Sequence, residues 1–503
     1  MKLLVSLCVA ASVYALLFSG CGGGGSTTGA SSPSSPSGST RAGNVLLTVN
    51  WPPPTRQKPA ATNSIKVTIS QGSSVIASQL LAPASLGSVG SITLSSVAPG
   101  SLMLSAAAMP NANGSGVALA QGASGVTVAP GETASVTVTM ASTINALTIA
   151  PGKVTLGTGQ TRSLVASATD SSKNIVPLTP GKLIWSSNNI AAASVDSSGK
   201  VTGTGIGPTV VSVTDTETGR SATAAVTSVH PIYGLSFSPF VQAGQDPNSG
   251  TVVTSAQVTS LLAGISGYTT WIRTFGMQNG LENVPAIARQ MGFKTAIGAY
   301  ISSDPTITGT QIANLVAAAQ AGKVDIAIVG NESLKNGTVT ESQLLTYIQL
   351  VKAQVPKNVL VTYVDTWNTM LAHPNVVAAV DIVAVNIYPF YDNQSIGQAL
   401  SSFQSAYANT VAAANGKQVI VTETGWPGSG NPPATGSTAL PSAASETAYF
   451  NSIQTWARHV NLPLFYFDAY DEAWKANYND YASWGIWDSN GIMKPGMRAV
   501  FQN

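Results

Sequence analysis

Two glutamates carry the chemistry this chain is equipped for. Glu332 stands in Val329-Gly330-Asn331-Glu332-Ser333 and Glu423 in Thr422-Glu423-Thr424-Gly425-Trp426-Pro427, each just after a short apolar run. A carboxyl pair over one pocket can split a glycosidic bond: one acid protonates the leaving oxygen, the other meets the oxocarbenium-like centre. At a separation of about 5–5.5 Å the second attacks directly and configuration is retained. Glu332 is read as acid/base and Glu423 as nucleophile. Asn331 is placed to bond a sugar 2-hydroxyl, and Tyr388 to orient the nucleophile.

Such a pair needs a scaffold that brings distant segments to one place. From Tyr233 onward, eight apolar or β-branched runs alternate with helical stretches. The runs are Leu235–Phe240, Thr270–Phe275, Thr295–Tyr300, Ile326–Val329, Val359–Val364, Ile382–Ile387, Val419–Thr422 and Leu464–Phe467. Thr310–Ala321, Glu341–Ala353 and Ser445–His459 read as helices, with Gly292, Pro356 and Gly416 at helix ends. Eight strand–helix units in about 250 residues predict a (β/α)8 TIM barrel, whose active site lies at the carboxyl ends of the strands. An open doubly wound sheet would want a glycine-rich phosphate loop after its first strand, and Ser236-Phe-Ser-Pro-Phe240 supplies none.

The other strand ends add amides and aromatics, which suit a neutral polyhydroxylated ligand. Arg273 (strand 2) is read either as an anchor under a carboxylate or as a substrate contact. Tyr300, Trp426 and Trp474 are read either as sugar platforms or as packing. Glu282 and Glu446 fall on helices and are assigned to solvated faces. His373 and His459 lack partners at metal spacing, so neither metal nor cofactor is expected. Asp304, Asp325, Asp381 and Asp488 belong to turns and strand starts.

The 503 residues exceed a single core, so two to four domains are expected. A net charge of +2 gives no electrostatic reason to expect nucleic acid. Residues 1–232 hold 11 Lys/Arg and 5 Asp/Glu, against 12 and 16 in residues 233–503, so most carboxylates accompany the barrel. Residues 44–142 alternate with period two between frequent turns and predict an antiparallel β-sandwich. Glu132 is the one acid in that module, which is read as a spacer. Residues 143–229 predict a second sandwich. There Ile184-Trp185-Ser186-Ser187-Asn188-Asn189 precedes Ala193-Ser194-Val195-Asp196-Ser197-Ser198-Gly199-Lys200-Val201-Thr202-Gly203. This module resembles the bacterial immunoglobulin-like domain, group 2. Trp185 is expected in its core, and Asp196–Gly199 as a hairpin turn.

Residues 1–20 read as an export signal: Lys2, an apolar run from Leu3 to Phe18, then small residues. Leu17-Phe18-Ser19-Gly20-Cys21 resembles a bacterial lipoprotein cleavage box. Cys8 would be removed with the signal, which leaves Cys21 without a disulfide partner and suits it to lipidation. Residues 21–43, rich in Gly, Ser and Pro, read as a flexible linker. The expectation is an exported protein held to the cell envelope by lipid on Cys21, at the outer membrane or cell surface or facing the periplasm.

Gly330-Asn331-Glu332 and Thr422-Glu423-Thr424-Gly425-Trp426-Pro427 resemble the two hallmarks of glycoside hydrolase family 17, over Tyr233 to the carboxyl terminus. Asp381-Ile-Val-Ala-Val-Asn386-Ile-Tyr388-Pro389-Phe390-Tyr391 and the Glu472…Lys475 segment are similar to that family's strands 6 and 8. The closer likeness is to its fungal cell-wall and bacterial members. The resemblance implies a retaining enzyme of β-1,3-glucan, endoglucanase or glucanosyltransferase, with Glu472 and Lys475 as accessory sugar-site residues. Alternatives are a non-catalytic glucan-binding adhesin and a related barrel hydrolase of β-1,4-linked sugars. The expected partners are a β-glucan poly- or oligosaccharide and, through Cys21, a membrane. Oligomeric state stays open.

Overall fold

The computed structural model describes residues 41–51, 58–82, 89–478 and 480–502. Cys21, the segment 1–20 read as an export signal and most of the stretch read as a linker lie outside the described residues. Two all-β modules precede a (β/α)8 barrel.

The first module packs a three-stranded sheet on a five-stranded one. Its strand Gly43–Asn50 buries every second side chain (Val45, Leu47, Val49), as period-two alternation requires. One expectation needs correcting, because the sandwich is not purely antiparallel. Gly43–Asn50 pairs antiparallel with Val89–Val97 but parallel with Thr133–Thr139. Parallel pairing needs a crossover between distant segments, and local alternation carries no sign of it.

In the second module Ala193–Val195 and Lys200–Gly203 form an antiparallel pair. Asp196 accepts from the N–H groups of Ser198 and Lys200 at 2.8 and 3.0 Å, an Asx-type turn. Trp185 is half-buried against the core rather than enclosed by it. The apolar cores of the two modules run together, from Val45 and Leu47 through Ile144 and Leu147 to Val226.

The second module is seated on the barrel at the amino ends of the strands. Gln160 Nε2 donates to Thr269 O at 3.5 Å, where the second barrel strand begins. Gly267 (φ +92°) lies so close to the module that a Cβ there would sit 2.6 Å from Thr155 O, so only glycine fits. From the barrel side, Arg458 Nη1 donates to Val500 O at 2.5 Å and Nη2 to His230 O at 3.0 Å. The His230 N–H donates to Phe501 O at 3.0 Å. The connecting residues are thus held from both sides.

The eight parallel barrel strands are Ile232–Ser236, Thr269–Arg273, Lys294–Ala299, Ile326–Asn331, Leu360–Thr366, Val383–Asn386, Val419–Glu423 and Phe465–Tyr466. Each pairs with the next, strand 8 returns to strand 1 (Gly234 with Phe465), and a bridge from Val421 to Leu464 closes the ring. Strand 1 starts and ends earlier than its apolar run; Pro239, without the N–H that a continued ladder requires, lies beyond its end. Alternation sorts the side chains. Ile326, Ile328, Ala384, Ile420 and Phe465 fill the ring, while Ala327, Val329, Val383, Val385 and Val421 pack outward in the main core under the helices. The predicted helices stand at Pro305–Gln320, Glu341–Gln354 and Ala443–His459.

Glu446 corrects another expectation. It lies on the helix Ala443–His459 but faces inward, 1% exposed, and pairs with Lys494 at 2.8 Å. Burial pushes its carboxyl up to about 7, against the pull of Lys494.

Candidate active site

Both glutamates follow an irregularity in the ladder. Between strands 4 and 5 the register jumps from Ile328 opposite Thr362 to Asn331 opposite Val364. Between strands 6 and 7 it jumps from Val385 opposite Val421 to Asn386 opposite Glu423. In each case one strand carries an extra residue, and such a bulge re-aims the side chain that follows. Gly330 takes φ +93° within the first bulge, where a Cβ would sit 2.7 Å from Ser333 Oγ. Glu332 itself has φ +51°, a left-handed conformation costing about 1–3 kcal/mol for a residue with a Cβ.

The turn that carries Glu332 is pinned from strand 5. The Leu334 N–H donates to Tyr363 Oη at 2.9 Å, and the Lys335 N–H to Asp365 at 3.3 Å. Tyr363 donates in turn to Asp365, a fully buried carboxyl that burial pushes above the usual carboxylate range.

One hydrogen-bonded chain joins the two glutamates. Asn386 Nδ2 donates to Glu332 Oε1 at 3.0 Å and to Asn331 Oδ1 at 3.2 Å. Asn331 Oδ1 also accepts from Arg273 Nη2 at 2.8 Å, while Arg273 Nη1 meets Glu423 Oε1 at 2.5 Å. Tyr388 donates to Glu423 Oε2 at 2.8 Å. Burial, then the neighbouring Glu423 charge, raises the Tyr388 hydroxyl well above its ordinary value, so it stays a donor. Lys335 pairs with Glu332 Oε2 at 2.7 Å from a half-exposed position.

Glu332 and Glu423 line the same cavity of about 480 Å³, with Asn331, Lys335, Trp367, Tyr391 and Lys475 among its walls. A second hollow of about 640 Å³, walled by Tyr300, Phe275, Trp474 and Glu472, meets the first at Asn331, Glu423, Phe467 and Lys475. The two make one cleft open on either side of Glu423. Its walls are aromatic and amide-rich, a lining suited to stacking sugar faces and bonding their hydroxyls.

The residues singled out from the sequence divide clearly. Glu332, Glu423, Asn331, Tyr388, Tyr300, Glu472 and Lys475 all line the cleft. Arg273 is 0% exposed with both terminal nitrogens engaged, so of its two readings the anchor under a carboxylate holds and the substrate contact does not. Trp426 is not a platform: it is 0% exposed, donates to Leu440 O at 3.0 Å, and packs on Phe390 and Tyr449. Tyr449 belongs to the helix Ala443–His459, so the indole is buried between that helix and Phe390 and lines neither hollow of the cleft. Sequence reasoning placed Asn386 at a strand end without giving it a role, and missed Lys335. Asn386 was legible as a polar strand end, and Lys335 as a cation three residues after Glu332. Among the described residues no cluster of three or more His, Cys, Asp and Glu is placed to hold a metal, and no helix is long and apolar enough to cross a membrane.

Residues 234–485 match the family model of the BtgE/BtgC glycoside hydrolase domain, and residues 143–226 that of the bacterial Ig-like domain (group 2). The chain is 30% identical over 266 residues to a probable beta-glucosidase btgE of Aspergillus flavus, a match covering 51% of this chain and 42% of the relative. It is 30% identical over 275 residues to a putative glucan endo-1,3-beta-glucosidase btgC of Aspergillus niger, covering 48% and 40%. It thus spans less than half the length of these curated relatives. A solved glycoside hydrolase family 17 beta-1,3-glucanosyltransferase from Rhizomucor miehei aligns with TM-score 0.47 and 26% identity, over 53% of this chain and 96% of that one.

Proposed function

The chain belongs to the BtgE/BtgC glycoside hydrolase family, and from that premise we propose that it is a retaining glycosidase of β-1,3-glucan. The observation that carries this reading is the unbroken relay Glu332–Asn386–Asn331–Arg273–Glu423 along the wall of one cleft. In the first step a Glu423 oxygen bonds to the anomeric carbon as the bond to the leaving sugar breaks, and the Glu332 carboxyl gives its proton to the leaving oxygen. Half-exposed Lys335 must release Glu332 for that oxygen to reach it. In the second step Glu332 takes a proton from water or from a sugar hydroxyl, whose oxygen displaces Glu423 with net retention. Water gives hydrolysis and a sugar hydroxyl gives glucanosyl transfer.

Arg273 and Tyr388 hold Glu423 by one oxygen each, which fixes its aim. The Asn331 carbonyl is already engaged twice, so its amide nitrogen serves as donor to the sugar 2-hydroxyl. Tyr300, more than half exposed on the cleft wall, and the Glu472–Lys475 pair supply further sugar contacts.

Glu423→Ala should abolish turnover and leave glucan binding intact. With laminari-oligosaccharides, products longer than the input report transfer, and shorter ones alone report hydrolysis. A wild-type protein that binds β-1,3-, β-1,4- and mixed-linkage glucans yet cleaves none would defeat the proposal in favour of an adhesin. Export and lipidation at Cys21 belong to the same reading, supported by the signal-like segment 1–20. Mass spectrometry of the mature amino terminus tests them: an unmodified start elsewhere than Cys21 rules out lipidation, and an uncleaved segment 1–20 counts against export.

A further inference from the structure

Beside the cleft lies a third carboxyl for which neither step above has a use. Asp468 follows strand 8 and is 1% exposed. Its backbone is clamped: its N–H donates to Trp484 O at 3.2 Å and its carbonyl accepts from Ile486 N at 3.0 Å. Its Oδ1 has no hydrogen-bond partner, and its side chain bonds to the Glu472 carboxyl. Glu472 pairs with Lys475 and accepts from Trp474 Nε1 at 3.3 Å. The Lys475 ammonium lies 4.6 Å from the centre of the Phe467 ring and stands at the junction of the two hollows, alongside Glu423.

Two ionised carboxyls cannot hydrogen-bond to each other, since both are acceptors only. The contact between Asp468 and Glu472 therefore requires a proton. The local charge count agrees, because one ammonium, Lys475, faces two enclosed carboxyls. The other groups around the pair are accounted for. Asp471 is taken by Lys494 at 2.8 Å and by the Gly485 N–H at 2.9 Å. Ser238, from the end of strand 1, bonds to Glu472. Glu423 is held by Arg273 and Tyr388, and Asp480 acts on Lys475.

We propose that Asp468 is a positioning residue that works as a neutral carboxylic acid: it donates its proton to Glu472 and so sets the Glu472–Lys475 pair against the nucleophile's side of the cleft. This rests on the cleft being the active site described above. The direction of titration agrees with the geometry. Burial, then the Glu472 charge, drives the Asp468 carboxyl well above the usual range, while against its own burial Glu472 is held below by Lys475 and the donors around it. Lys475 is held above its ordinary value, against its own burial, by the charge of Glu472.

Asp468→Asn keeps a donor in place of the acid hydroxyl, whereas Asp468→Ala removes it. D468N should retain kcat/KM within about threefold of wild type and D468A should lose about tenfold or more. At pH 7 the infrared difference between wild type and D468N should show the carbonyl stretch of one un-ionised carboxyl, over and above any band the two share from Glu446 and the other protonated acids. D468N should also escape the part of the alkaline activity loss that comes from removing the shared proton. No such difference band, or D468N as impaired as D468A, overturns the assignment. D468N stays informative if D468A fails to fold. If wild type turns over no β-glucan, the activity reading falls alone and the infrared band still decides the protonation of Asp468.

Discussion

Replacing Arg273 by Met is the sharpest test of how the two glutamates are held. The guanidinium is fully buried and spends one nitrogen on Glu423 and the other on Asn331. Methionine fills similar volume without either bond. Removing one partner of a buried pair costs about 3–5 kcal/mol, since the remaining charge is left uncompensated. For a domain of this size each kcal/mol moves the melting transition by roughly 2–4 °C, so the barrel transition should fall by roughly 6–20 °C. The loss in turnover should be larger than stability alone explains. Glu423 would keep only the Tyr388 bond, and Asn331 would lose one of the two bonds that fix its amide. Misaiming a nucleophile costs on the order of 10²-fold in kcat, with KM little changed. Arg273→Lys separates charge from geometry: one ammonium cannot span both acceptors, so an intermediate loss of about tenfold is expected. The assays are steady-state cleavage of laminari-oligosaccharides and calorimetry on the same preparations. R273M within about threefold of wild-type kcat and with an unchanged transition would refute the relay as the positioning device.

Trp426→Ala should act on folding rather than on sugar binding. The cost is about 3–5 kcal/mol in unfolding free energy, with KM unchanged in the protein that folds; a raised KM at constant stability would restore the platform reading. Glu446→Gln tests the buried pair with Lys494. A carboxyl raised from 4.5 to about 7 stabilises the fold fully below about pH 4.5 and loses that contribution as pH climbs through about 7. The swing is roughly 3 kcal/mol, so E446Q should flatten the stability–pH curve over that window, as urea titrations from pH 4 to 8 would show.

The barrel was legible because its signal is repetitive. Eight apolar runs spaced by helical stretches leave few other closed arrangements, and the strand ends Asn331, Asn386 and Glu423 could be read off directly. What could not be read was orientation within the mouth. Trp426 was left between two readings and Glu446 was misjudged for the same physical reason: local pattern says which residue follows a strand or rides a helix, but a turn or a partner elsewhere decides which way it faces. Arg273 stayed ambiguous until its two acceptors, 58 and 150 residues away in sequence, were seen together. The parallel pairing of Gly43–Asn50 with Thr133–Thr139 was invisible because it joins distant strands through no local turn. Asp468 gave no signal of its own, for a neutral acid and an ionised one are the same letter.

The second module grips the barrel floor by an approach so close that Gly267 admits no side chain, and it shares its interior with the first. That leaves little swivel between the catalytic head and its stem. The mouth of the barrel, at the carboxyl ends of its strands, therefore looks away from the second module, which occupies the opposite pole.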